Sequence, residues 1–244
     1  MNTFNTTHPS LNNGAEVLLA SPLSDAETKD QVAEIFEGGH YKAGRVKKDM
    51  VVIDCGANIG LASLYFKDYA REIYALEPSK APYEALVENT KAHPHIKPIN
   101  VGLANRSGYE ILSSNDEGDI PLSLWGKGTN QEAVKMTTID SFFKEHNIEH
   151  VDLLKLDAEG AEYLILPSPG FAKVASKIDY IIGEAHYIDP QLIPDFIPAF
   201  LKEYGFTCEF LPIDNMYLTF DIDTNGEKKS YKIHGQTLFF AKRI

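Results

Sequence analysis

The chain has 244 residues, 43% hydrophobic and 24% charged, which excludes collagen-like, coiled-coil and wholly disordered classes. A formal net charge of −12 argues against duplex nucleic acid and anionic membrane surfaces as partners. No run reaches the roughly 18 apolar residues of a membrane-spanning helix, and residues 1–10 lack the basic-then-apolar pattern of a signal peptide. Residues 1–24, rich in Asn, Thr, Ser and Pro, read as a loose arm in which 17–20 pairs at a sheet edge. Ser24-Asp25 starts a helix with Val32, Ile35 and Phe36 at helical spacing, stopped by Gly38-Gly39. After a charged connector, residues 50–54 form an apolar strand that ends in the turn Gly56-Ala57-Asn58-Ile59-Gly60. The helix behind it carries the apolar stripe Leu61, Leu64, Tyr65, Tyr69. A second strand, 72–76, ends at Glu77-Pro78, and a helix to about residue 91 turns Tyr83, Leu86 and Val87 inward. A third strand lies within 95–103. Residues 109–113 and 134–138 add an antiparallel pair around a polar loop that holds Trp125, a lid or a packing residue. There follow a helix at 139–146, a strand at 151–156, a helix at 159–166 stopped by Pro167, and a strand at 179–184. A helix within 192–204 and two strands, 207–211 and 237–241, complete the pattern, with a polar hairpin tip at 226–229.

Strands alternating with helices predict right-handed βαβ units and an α/β, doubly wound, mostly parallel sheet. The last two strands lack an intervening helix and are expected to be antiparallel. The division expected is an N-terminal arm and helix, 1–48, and a Rossmann-like domain, 49–244. Cys55 and Cys208 match no zinc or redox spacing and read as two buried free thiols, which suits a reducing, cytoplasmic compartment.

The turn after the first strand is the densest signal. Ligands of open α/β sheets bind beyond the carboxyl ends of the strands, where strand order reverses. A dinucleotide fingerprint would place glycines at 58 and 61, which are Asn58 and Leu61. Asp54, two residues before Gly56, would repel a pyrophosphate but suits the ammonium of S-adenosylmethionine. Asp54, Gly56, Ala57, Asn58 and Gly60 are therefore candidate cofactor-binding residues. Glu77 joins them as a ribose acceptor, with Val101 and Gly102 toward the adenine. Glu77 would serve a nicotinamide cofactor equally well, so an oxidoreductase stays open here.

The second signal is the acidic stretch from Asp152 to Glu162. Asp157 ends a strand, and Glu159 and Glu162 lie three apart on one face of the expected helix. They are explained either as helix-end carboxylates or as a general base, metal ligand or substrate clamp. Glu184 and His186, two apart at a strand end, point to one side. Among Asp157, Glu159 and His186, the histidine is the first choice of base, since an unperturbed imidazole titrates near pH 6.5. Asp157 and Glu184 can also supply oxygen ligands to a divalent cation, a reading that is not favoured.

Together, Gly56-Ala57-Asn58-Ile59-Gly60, Leu76-Glu77-Pro78 and Lys155-Leu156-Asp157-Ala158-Glu159-Gly160-Ala161-Glu162 resemble the FkbM family of S-adenosylmethionine-dependent methyltransferases. Asn89, Thr138-Ile139-Asp140, Glu184-Ala185-His186 and Tyr41 extend the likeness. The chain departs from it at Pro167-Ser168-Pro169-Gly170, where the family often has a Gly directly after the helix. The resemblance implies a class I methyltransferase Rossmann-like fold. It also implies methyl transfer to an oxygen of a small-molecule acceptor, a carbohydrate or other hydroxylated or glycosylated metabolite. A non-catalytic cofactor-binding module is the remaining alternative.

Overall fold

The computed structural model describes residues 2–6, 17–36, 41, 47–114, 123–126, 128–186, 196–211, 217–224, 227–234 and 236–244. A hairpin of β1 (Asn2–Thr6) and β2 (Val17–Ser21) leads into α1 (Asp25–Phe36). Then come β3 (Met50–Cys55), α2 (Leu61–Phe66), β4 (Ala70–Leu76), α3 (Lys80–Thr90) and β5 (Ile96–Ile99). β6 (Gly102–Leu103), β7 (Gly108–Ser113) and β8 (Gln131–Thr137) follow, then α4 (Ile139–Glu145) and β9 (Val151–Leu156). Two short helices, α5 (Glu162–Ile165) and α6 (Pro169–Val174), precede β10 (Ile178–His186) and α7 (Phe196–Glu203). The remaining strands are β11 (Phe206–Leu211), β12 (Tyr217–Thr224), β13 (Glu227–His234) and β14 (Gln236–Arg243).

The central sheet has the order β11-β14-β10-β9-β3-β4-β5, and every neighbouring pair is parallel except those made by β14. The chain builds outward from β3 through β4 to β5, then returns to lay β9 on the other side of β3. The order reverses between β3 and β9, and the loops after these two strands diverge into a crevice. This is the class I methyltransferase arrangement, with the antiparallel strand wedged between β10 and β11 and antiparallel to both.

Both sheet faces are covered, as a period of two within β3 requires. Val51, Ile53 and Cys55 pack with α4 to α7 through Phe142, Phe171 and Leu201. Met50 and Val52 pack with α1 to α3 through Val32, Phe66 and Leu86. The second cluster also takes in Leu19, Ala20 and Tyr41, so the N-terminal segment shares a core with the sheet. β2 pairs with β1 in its own hairpin and joins no edge of the central sheet. Asn89 on α3 ties it down: its Oδ1 accepts from Ala20 N–H at 2.7 Å and its Nδ2 donates to the Ala20 and Ile59 carbonyls at 2.9 and 2.8 Å. α1 begins in a reciprocal cap, Glu27 N–H to Ser24 Oγ and Ser24 N–H to Glu27 Oε2.

Several expected boundaries move. α2 ends at Phe66, so Tyr69 lies beyond it, exposed. On α3 it is Ala85 and Leu86 that are fully buried, while Val87 faces solvent. The third strand splits, because β6 leaves the central sheet to pair with β8 and form a second sheet, β6-β8-β7. The expected helix from 159 begins only at Glu162, since Glu159 and Gly160 are left-handed at φ 50° and 92°. β12 and β13 pair antiparallel with Thr224 opposite Glu227, so residues 227–229 of the expected tip lie in a strand, and residue 226 falls outside the described segments. The helix expected from 192 has its first residues outside the described segments. Cys55 and Cys208 are both free thiols, Cys55 fully buried and Cys208 partly so.

Candidate functional site

A cleft of about 570 Å³ opens at the carboxyl ends of β3, β4 and β9, within the usual size of a small-molecule site. Gly56, Asn58, Glu77, Asp157 and Glu159 line it. The β6-β8-β7 sheet walls it with Gly102, Leu103, Leu112 and Met136. Val101 is buried in the core instead.

The glycine turn is shaped by its neighbours. Gly56 is left-handed at φ 78°, and a Cβ there would lie 1.7 Å from the Asp157 carbonyl oxygen. The loops after β3 and β9 therefore touch, and only glycine permits it. Asn58 is also left-handed, which turns its N–H onto Glu77 Oε2 at 2.9 Å. Ser79 N–H donates to Glu77 Oε1 at 2.9 Å. Glu77 is thus fixed at both oxygens on the cleft wall, with lone pairs remaining. Burial pushes its carboxyl up to about 7, against the pull of these two donors. Asn58 Oδ1 is buried and takes no hydrogen bond among the described residues.

Asp54 departs from expectation. Its carboxylate does not face the cleft: it is fully buried, accepting from Ser63 Oγ at 2.7 Å and paired with Lys155 Nζ at 3.2 Å. Ala57 and Gly60 shape the turn from beneath and are also buried. Lys155 is the residue that the sequence reading passed over. Its ammonium also donates to the Gly56 carbonyl at 2.8 Å and pairs with Asp157 Oδ2 at 3.3 Å. Burial alone would lower it, but Asp54 and Asp157 outweigh that and hold it well above the usual lysine range. A lysine inside the run Leu153-Leu154-Lys155-Leu156 was the available signal, since a doubly covered strand cannot hold an unpaired charge.

The acidic group meets around His186. Its Nδ1 lies 3.4 Å from Glu162 Oε1, and its Nε2 lies 3.7 Å from Glu159 Oε2 and 3.8 Å from Asp157 Oδ1. Glu162, fully buried, accepts from Ala158 N–H at 2.6 Å and so closes the 157–160 turn. Burial works against the imidazolium, but Glu162 first, then Glu159 and Asp157, raise it well above the ordinary histidine range. Burial pushes Glu159 up to about 7, with Asp157 and Glu162 adding and His186 opposing. Burial and the Asp157 charge likewise raise Glu184 strongly, so the strand ends converge as expected. Tyr41 is buried close enough for Lys155, Asp157 and Glu184 to act on its phenol.

Asp157, Glu162 and His186 come within 4.8 Å of one another, the closeness a metal needs. Glu162 lies nearest Nδ1 and Asp157 nearest Nε2, so the three are arranged around the imidazole as ion-pair partners. Trp125 donates from Nε1 to the Gly160 carbonyl at 3.2 Å and pins the loop after β7 onto the acidic turn.

Comparison with known proteins gives the site its setting. The profile described as "Methyltransferase FkbM domain" matches residues 54–208, more than half of the chain. "Methyltransferase sdnD" of Sordaria araneosa is 29% identical over 180 residues, covering 59% of this chain and 70% of that protein. "Methyltransferase 1" of Beauveria bassiana is 26% identical over 172 residues, covering 60% and 69%. A solved structure, an rRNA methylase from Streptococcus thermophilus, superposes with a TM-score of 0.49 at 8% identity, covering 86% of this chain and 96% of that one. The matched span runs from Asp54 through the glycine turn, Glu77, the 157–162 turn and His186, and this chain, a methyltransferase, belongs to the FkbM methyltransferase domain family.

Proposed function

We propose that the protein transfers a methyl group from S-adenosylmethionine to an oxygen of a small hydroxylated acceptor, a carbohydrate or glycosylated metabolite. The observation that carries this reading is that the glycine turn and Glu77 together form the cleft wall inside the span matching the FkbM methyltransferase domain. A carboxylate fixed at both oxygens on a cleft wall, at the end of the strand next to the glycine turn, suits paired ribose hydroxyls. The cleft volume, the unpaired Asn58 Oδ1 and the left-handed Gly56 fit the rest of such a ligand. The cofactor would supply an electrophilic methyl on a sulfonium. Asp157 and Glu159, which also line the cleft, can accept hydrogen bonds from acceptor hydroxyls.

The base is assigned to Glu159 ahead of His186. Glu159 lines the cleft and has a carboxyl near 7, where a base is most effective at neutral pH. His186 sits behind it, held as an imidazolium by Glu162, and so has no free lone pair for a proton. Glu159 takes the acceptor hydroxyl proton, and the donor, when bound, would supply its methyl to that oxygen and depart as the thioether. His186 fixes Asp157 and Glu159 in place. No described helix is long and apolar enough to cross a membrane, and the acidic surface suits a small acceptor better than a nucleic acid. The test is a methyl-transfer assay over a panel of sugars, glycosides, phenols and carboxylic acids, with product mass and position read by spectrometry. Transfer to nitrogen or carbon only, or S-adenosylhomocysteine affinity absent from the wild type, overturns it.

A further inference from the structure

The two halves of the site are built on different parts of the chain. The glycine turn follows β3, and the acidic turn follows β9, about a hundred residues later. Backbone joins them at one point, Asp157 N–H to the Cys55 carbonyl at 3.1 Å. One side chain bridges both. The Lys155 ammonium donates to the Gly56 carbonyl in the first turn and forms ion pairs with Asp157 in the second and Asp54 beneath. It is 3% exposed, so no water competes. From Asp54 the charges alternate through Lys155, Asp157 and His186 to Glu162, with gaps of 3.2, 3.3, 3.8 and 3.4 Å.

We propose that Lys155 is a positioning residue for methyl transfer, clamping the glycine turn and Asp157 into one rigid unit. Neutralising Asp54 is a separate task of the same ammonium. Asp54 is its folding partner, because a fully buried carboxylate needs a counter-charge. Gly56 and Asp157 are its functional partners, because both line the cleft. This rests on the cleft holding the methyl donor, but the clamp itself exists without any ligand.

The two tasks are separable. Lys155→Met alone strands Asp54 and is expected to lower Tm by on the order of 10 °C. Asp54→Asn with Lys155→Met removes both charges and is expected to bring Tm back to within about 5 °C of the wild type. If the double variant does not fold, Lys155→Arg replaces it. That change keeps a counter-charge for Asp54, but a planar guanidinium is larger than an ammonium and cannot centre its charge among the Gly56 carbonyl, Asp54 and Asp157 in the same fully buried space. Hydrogen exchange is read in the unliganded protein over residues 55–60 and 156–160. At retained Tm, both turns are expected to exchange at least about tenfold faster, and S-adenosylhomocysteine affinity to fall about tenfold or more. A folded variant with wild-type exchange in both turns overturns the clamp. Faster exchange with unchanged affinity and turnover overturns its role in transfer. A wild type that binds no S-adenosylhomocysteine overturns the proposed function instead, and the exchange result still decides the clamp.

Discussion

Glu77 and Glu159 share an unusual property: burial leaves both carboxyls near 7, so each changes charge inside the assay range. For Glu77 the ionised form is the better acceptor of ribose hydroxyls. S-adenosylhomocysteine affinity should therefore rise with pH through about 7 and level off near 8, as calorimetry at pH 6, 7 and 8 would read. Glu77→Ala should cost roughly 1–3 kcal/mol of affinity and abolish this dependence. For Glu159, the protonated form cannot act as a base. Turnover should fall as pH drops below about 7, and Glu159→Gln should remove about a hundredfold or more of kcat at pH 8. His186 separates the two assignments of the base. If it is the fixed cation described above, His186→Gln takes an opposing charge from Glu159 and moves the acid limb upward by about one pH unit or more. If it is the base, the same variant flattens the limb and abolishes turnover. Lys155 shows why residue roles were only partly legible. Its partners come from β3 and from the end of its own strand, and Asp54 and Asp157 drew attention as ligands when the lysine consumes one and shares the other.

The strands that build the crevice read clearly in the sequence because burial on both faces makes them continuous apolar runs. The strand expected at 151–156 and β9 coincide, and β3 extends its expected range by one residue. The helix expected from Glu159 was less legible. Its carboxylates have helical spacing, but the turn from β9 must pass over Gly56, and the contact between Asp157 and Gly56 forces Glu159 and Gly160 left-handed before α5 can start. This tertiary demand separates Glu159, in the cleft, from Glu162, beneath it, where the period alone put both on one face. Gly56→Ala tests the contact. Its Cβ would collide with backbone at a positive φ, so a loss of about 2–5 kcal/mol in stability is expected by denaturant titration. The same change at Gly205, also left-handed but with nothing within 4 Å, should cost only the backbone term of roughly 1–2 kcal/mol.

Residues 1–24 were read as a loose arm because their polar composition hides where 17–20 pack, whereas Val32 and Phe36 were legible as the apolar positions of the helix behind it. Leu19, Ala20, Val32 and Phe36 enter the cluster that covers one sheet face, and Asn89 binds the backbone of β2 and of the glycine turn together. Asn89→Ala removes these hydrogen bonds at partly buried sites and should cost about 1–3 kcal/mol. Because the Ile59 carbonyl is one acceptor, cofactor affinity should weaken with it, whereas a purely local anchor for β2 would lower Tm and leave calorimetric affinity unchanged. The hairpin of β12 and β13 was missed although Leu218, Phe220 and Ile222 alternate strictly with Thr219, Asp221 and Asp223; only residues 226–229 were singled out, as a polar tip.

β14 lies between β10 and β11, with Gln236 opposite His186 and Leu238 opposite Glu184. During synthesis β10 leaves the ribosome about fifty residues before the strand that flanks it. Until residues 236–243 emerge, the strand carrying Glu184 and His186 has one open edge, and His186 is held in register only by β9 and the acidic turn. Catalytic competence should therefore arrive late and abruptly. Ribosome-arrested chains ending at residue 234 should leave β10 open to protease, and chains extended far enough to free residue 243 from the exit tunnel should protect it.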